Sequence, residues 1–103
     1  MAKLNITARC SNEDIPRMPK NVQRALLQKL EKLQQQPEWG KQLSGDLRKY
    51  RSLPISRYRI VYRHDLMNEC IFVVAVGIRK DGSPEDIYAR ILRLIRAGKL
   101  ETK

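Results

Sequence analysis

Cys70-Ile71-Phe72-Val73-Val74-Ala75-Val76 is apolar at every position, and no other segment constrains the fold as tightly. A strand shows alternate residues to opposite faces, so an apolar run without alternation needs cover on both. Glu69–Val76 is therefore predicted to lie in the middle of a sheet packed on two sides. A chain of 103 residues has room for one such core. Residues 1–103 read as a single domain.

The rest of the chain supplies the cover and the neighbouring strands. Lys3–Ala8 alternates, with Leu4 and Ile6 on one face, and predicts a short N-terminal strand. Ser11–Asp14 has the form of a helix-start capping box, but Pro16 and Pro19 limit it to a turn, and Pro19 can open the next helix. From Lys20 to Gln36, Val22, Leu26, Leu30 and Leu33 recur at helical spacing, and Pro37 ends the helix. Asp46–Leu53 predicts a strand ended by Pro54, Ser56–Arg63 a second strand, and His64–Asn68 a turn before the apolar run. Three strands so closely connected form an antiparallel meander. Near the C-terminus, Ser83 is placed to cap a helix, Pro84 to take its first position and Asp86 to complete the box. Ile87, Ile91, Leu94 and Ile95 make its apolar stripe, and Gly98 stops it. The expected class is α+β: a short N-terminal strand, one or two helices, the three-stranded meander completing a small sheet, and a C-terminal helix.

Charge gives the first functional constraint. In Ser56–Arg63, Tyr58, Ile60 and Tyr62 fall on one strand face and Arg57, Arg59, Val61 and Arg63 on the other. Such a face is either a platform for a polyanion or a solvated edge that discourages aggregation. The whole chain carries 21 Lys and Arg against 11 acids, a formal charge of +10. That balance favours nucleic acid, an anionic membrane or an acidic protein as partner. No segment approaches the roughly 20 apolar residues of a membrane span, and the first residues lack an apolar stretch of signal-peptide length. A cytoplasmic protein is expected, with Cys10 and Cys70 as reduced thiols. Arg90, Arg93 and Arg96 share a strip of the last helix and read as a solvated face.

Little of the usual catalytic chemistry fits. There is one histidine, the cysteines stand apart, and no carboxylates cluster at ligand spacing, so neither a metal nor another cofactor is expected. RNA, by contrast, carries its own nucleophile in the 2′-hydroxyl. Cleavage then needs in-line orientation, stabilisation of a pentacovalent phosphorane and movement of two protons. Guanidinium forks suit the phosphorane, and a tyrosine, lysine or histidine can move protons where the site shifts its pKa toward neutrality.

Leu43-Ser44-Gly45-Asp46-Leu47, Tyr50-Arg51-Ser52-Leu53, Tyr58-Arg59-Ile60-Val61-Tyr62, Val76-Gly77-Ile78-Arg79 and Tyr88 occur in that order. With the Met18-Pro19-Lys20 helix before them, they resemble the successive signatures of the RelE/ParE toxin superfamily over nearly the whole chain. The resemblance implies a toxin of a toxin–antitoxin pair. RelE-like members cut mRNA in the ribosomal decoding site without metal; ParE-like members poison DNA gyrase. For the nuclease branch it implies Arg59 and Arg79 as phosphate ligands, Tyr88 as the base for the 2′-hydroxyl, and Arg51 as an aid to charge stabilisation or proton transfer. Lys49, Arg57, Arg63 and Lys80 are the accompanying RNA-binding candidates. Leu53 stands where that branch has a second basic residue, and Lys49 is expected to restore the charge from the strand face of Arg51. The implied partners are a cognate antitoxin with an acidic, amphipathic segment, mRNA and the ribosome, with no membrane and no small-molecule cofactor. The alternatives are a ParE-like gyrase inhibitor and a non-catalytic RNA- or ribosome-binding module.

Overall fold

The computed structural model describes residues 1–101. Its strands are β1 (Lys3–Ile6), β2 (Lys41–Gln42), β3 (Arg51–Ile55), β4 (Tyr58–Asp65) and β5 (Cys70–Ile78). They form one sheet in the order β1-β5-β4-β3-β2. β3, β4 and β5 are the expected antiparallel meander, and β1 lies parallel to β5. The apolar run is thus an interior strand, as its lack of alternation requires. Two helices cover the sheet, α1 (Lys20–Gln35) on one face and α2 (Ile87–Arg96) on the other.

Each helix docks through the stripe legible in its sequence. Leu26, Leu30 and Leu33 of α1 pack on Leu53, Ile60, Tyr62, Ile71 and Val73. Ile87 and Ile91 of α2 pack on Tyr50, Val61, Val74 and Ala75. Both isoleucines are fully buried, each stabilising the docked helix by about 1.5–3 kcal/mol.

A bulge sets the side-chain parity of β5. Val61 pairs with Ala75, but the next residue, Tyr62, pairs with Val73, leaving Val74 without an opposite number. A bulged residue lets two consecutive side chains share a face. Ile71 and Val73 therefore face α1 while Val74 and Ala75 both face α2, and Val76 turns back to α1. Gly77 then faces α2, where a Cβ would lie 2.7 Å from Arg90 Nη1 and 2.8 Å from Ile87 Cδ1. Only hydrogen fits there, so the helix sits directly on the strand.

Several boundaries depart from expectation. The first strand ends at Ile6 instead of Ala8. Where a strand over Asp46–Leu53 was expected, Gly45–Leu47 forms a 3-10 turn and β3 starts only at Arg51, running through Pro54. Pro54 is tolerated because β2 pairs only with Arg51 and Ser52, so that edge of β3 is open at the proline. Lys49 consequently precedes the strand, and period-two alternation does not place it beside Arg51. Arg57 lies in the β3–β4 turn, next to Ser56 with its positive φ of 52°. The C-terminal helix starts at Ile87, with Asp86 as its N-cap in place of Ser83.

Ser11–Asp14 is not a capping box either. Cys10–Asp14 winds as a π-helical turn, and Asp14 is buried. Its carboxylate accepts from Arg9 Nη1 and Nη2 at 3.0 and 3.1 Å, from Arg90 Nη2 at 2.9 Å and from the Val76 N–H at 3.1 Å. One anion thereby ties the N-terminal segment, β5 and α2 together. Cys10 and Cys70 are buried small side chains, and burial first, then the nearby Asp14 charge, pushes the Cys10 thiol up to about 12.

Candidate functional site

Residues in register across a sheet share a face, and this divides the candidate residues. Arg51 pairs with Tyr62, and Leu53 with Ile60, so Arg51 belongs to the α1 face. There its guanidinium donates to the carbonyls of Gly40 at 2.8 Å and Glu38 at 3.3 Å. Ser52 pairs with Val61, and Arg59 with Gly77, which places Ser52 and Arg59 on the α2 face. The structure does not bring Arg51 together with the other three candidates.

Arg79 and Tyr88 are brought into contact, and Arg59 lies on the same sheet face, paired with Gly77 two residues before Arg79. Arg79 leaves the end of β5, its N–H donating to the Arg57 carbonyl at 2.7 Å. Its guanidinium lies 4.8 Å over the Tyr88 ring. Tyr88 sits in the first turn of α2, and its hydroxyl meets Ser52 Oγ at 2.8 Å. Ser52 is thus part of the site, although nothing in its sequence context distinguishes it from any other strand serine. Arg59 Nη1 donates to the carbonyls of Tyr58 at 2.9 Å and Ser56 at 3.2 Å. Neither acceptor carries charge, and among the described residues no carboxylate pairs with Arg59.

Arg79 is held differently. Asp86 accepts from Arg79 Nη1 at 2.6 Å, from the Lys80 N–H at 2.6 Å and from the Tyr88 N–H at 3.1 Å. Asp81 adds a looser pair at 3.6 Å. Burial pushes the Asp86 carboxyl up, but the Arg79 and backbone hydrogen bonds outweigh it and hold the group below the ordinary carboxylate range. The capping reading of Asp86 detected its place at the helix start but not its grip on Arg79, which needs the loop between them to fold back.

The four RNA-binding candidates separate into two groups. Arg57 is exposed beside the site, and Lys80 is exposed in the β5–α2 loop, 3.6 Å from Glu85. Arg63 lies four residues along β4 from Arg59, roughly 13 Å at strand rise. It pairs with Glu101 at 2.9 Å and lies 4.7 Å over Phe72. Lys49 reaches the same Glu101 at 4.0 Å. Arg59 and Arg63 still share a face, but Val61 between them is fully buried under α2. The open arginine platform expected from the alternation is therefore interrupted by packing. Among the described residues no group of His, Cys, Asp or Glu could hold a metal ion, and no helix is long and apolar enough to cross a membrane.

Two guanidinium-bearing residues, Arg59 and Arg79, thus lie toward the α2 side of the sheet, with the Tyr88 ring against Arg79. Solved structures share the fold. The Mycobacterium tuberculosis RelBE2 toxin–antitoxin complex contains a chain 22% identical, with TM-score 0.69, covering 76% of this chain and 98% of that one. The isolated E. coli RelE toxin is 21% identical with TM-score 0.67, covering 92% and 99%. The intact E. coli RelBE toxin–antitoxin complex gives 20%, 0.67, 78% and 99%. No curated protein matches the chain. Residues 5–82 match the family described as the ParE toxin of the type II toxin-antitoxin system parDE. With most of its length inside that family and the fold of the RelE toxins, the chain belongs to the RelE/ParE superfamily of type II toxins.

Proposed function

We propose that this toxin acts as a ribosome-dependent, metal-independent mRNA endonuclease. The observation that carries this reading is the contact of Arg79 with Tyr88 on the sheet face that also bears Arg59. Arg59, free of any described carboxylate, and Arg79 grip the scissile phosphate through guanidinium hydrogen bonds. Tyr88, having first given its own proton to solvent, takes the 2′-hydroxyl proton as phenolate while that oxygen attacks phosphorus. The 5′-oxygen departs with a proton from solvent, leaving a 2′,3′-cyclic phosphate. For this to happen the Tyr88 hydroxyl must exchange Ser52 for substrate, and the phosphate must compete with Asp86 for Arg79. Arg51, on the opposite face, takes no part in this scheme. In the cell the protein works in the cytoplasm and is silenced by a cognate antitoxin, the kind of partner with which RelE chains are found in the solved complexes.

A specific observation favours a second reading. Asp86 already neutralises Arg79, and the ParE family match covers residues 5–82. A face organised by internal ion pairs suits a toxin that binds a protein such as gyrase. Mapping mRNA 5′ ends after brief induction, beside a gyrase cleavage assay, separates the two. New ends at codon positions support the nuclease. Trapped gyrase–DNA breaks without such ends overturn it.

A further inference from the structure

At the end of the α2 face away from Tyr88, a second set of donors converges on one carboxylate. Glu101 Oε2 accepts from the Tyr50 hydroxyl at 2.5 Å. Arg63 donates to Glu101 through Nε at 3.1 and 3.3 Å and through Nη2 at 2.9 Å. Lys49 Nζ stands 4.0 Å away. Burial, then the Glu101 hydrogen bond and charge, raises the Tyr50 phenol, which therefore remains a donor. A hydroxyl, a guanidinium fork and an ammonium aimed at one point are what a carboxylate requires. The function proposed above uses none of the three.

The anion they hold is supplied by the chain itself. Glu101 follows α2 and Gly98, whose φ of 68° turns the chain back, and it is anchored beside buried Leu100. From Glu101 an open groove of about 550 Å³ runs beneath β1, lined by Asn5, Ile6, Thr7, Phe72 and Arg63. Asn5 pairs with Phe72 in register, so both belong to this face. β1 is an edge strand, with β5 its one sheet neighbour among the described residues, and an edge of this kind is where an extended chain can add. The groove thus has an apolar floor, a strand edge and a carboxylate receptor at one end. RNA fits it poorly, since among the described residues Arg63 is the one cation that lines it.

We propose that Tyr50, Arg63 and Lys49 form a carboxylate receptor for which Glu101 is a self-ligand, and that an acidic segment of a partner protein displaces Glu101 while lying in the groove beside β1. The net charge of +10 draws such a segment in. Identifying the partner as the antitoxin rests on the toxin reading; the receptor itself does not.

The test is an amide NMR titration of the full chain with acetyl-Leu-Glu-Phe-Glu-Leu-amide, with inorganic phosphate titrated in parallel. Glu101→Ala is expected to bind the peptide at least tenfold more tightly than the unsubstituted chain, with shifts at Asn5, Thr7 and Phe72. Adding Arg63→Ala should remove that gain. If Glu101→Ala does not fold, Glu101→Gln keeps the side-chain size while removing the charge, and at least a threefold gain is expected. Equal affinity with and without Glu101, shifts confined to other surfaces, or a response to phosphate alone overturns the proposal. Growth arrest on induction is measured separately: its absence removes the toxin reading and leaves the peptide result standing.

Discussion

The Arg79 guanidinium lies 4.8 Å over the ring of Tyr88, and one carboxylate, Asp86, binds the side chain of the first and the backbone N–H of the second. The end of β5 and the start of α2 are therefore one unit. Anything that moves the helix start moves both residues together.

Tyr88→Phe separates the two readings of this toxin. The phenyl ring keeps its place under Arg79, and only the hydroxyl bonded to Ser52 is lost. If Tyr88 is the base, cleavage of ribosome-bound mRNA should fall about 10²–10⁴-fold. Primer extension on a defined message measures this, and unchanged cutting removes Tyr88 from the mechanism.

Arg59→Ala and Arg79→Ala should each abolish growth arrest. Removing one donor to a developing oxyanion commonly costs about 2.7–4 kcal/mol of transition-state stabilisation. Arg59 donates only to neutral carbonyls, so its variant should also keep the thermal midpoint of the parent. Full toxicity in both variants would falsify the assigned phosphate site.

Gly77→Ala tests how closely α2 rests on the sheet. The new methyl would meet Arg90 and Ile87 at under 3 Å, and Arg90 cannot retreat without loosening its bond to Asp14. A loss of about 1–3 kcal/mol is expected, in the range of overpacked cores. Urea denaturation measures it; an unchanged midpoint means that the helix stands further off than described.

Acid should weaken the fold through Asp86 and Glu101. For both, burial raises the carboxyl, but hydrogen bonds outweigh it, from Arg79 and the Lys80 N–H to Asp86 and from Arg63 and Tyr50 to Glu101. A group held lower in the folded state contributes stability above its unfolded value, about pH 4, and loses it as pH falls through the folded one. Melting temperature followed from pH 6 to pH 2 should drop below about pH 4. The double variant Asp86→Asn, Glu101→Gln should show a shallower drop; an identical profile assigns the acid sensitivity to other groups.

The helices and the meander were legible because each depends on a local period. Leu26, Leu30 and Leu33 mark a helix face wherever α1 docks, and Cys70–Val76 demands cover from whatever lies above and below it. Asp86 caps its helix as its sequence position implies, but its second role, the pair with Arg79, needed the fold. Two signals misled for want of a partner. Asp14 read as a capping residue, yet it is a buried anion between Arg9 and Arg90. Pro54 read as a strand end, although the short β2 leaves it room inside β3.

The sequence by itself determined the two helices and the longer strands, though not β2 or the start of β3, and also which side chains are apolar enough to bury and that the surface carries excess positive charge. These follow from composition and from periods of two and 3.6 residues. Only the tertiary structure decided which arginines share a face. The extra residue Val74 resets the parity of β5, and cross-strand register puts Arg51 with Tyr62 and Arg59 with Gly77. Register belongs to pairs of strands and not to either strand alone, because a slip of one residue exchanges the faces while leaving each sequence pattern unchanged.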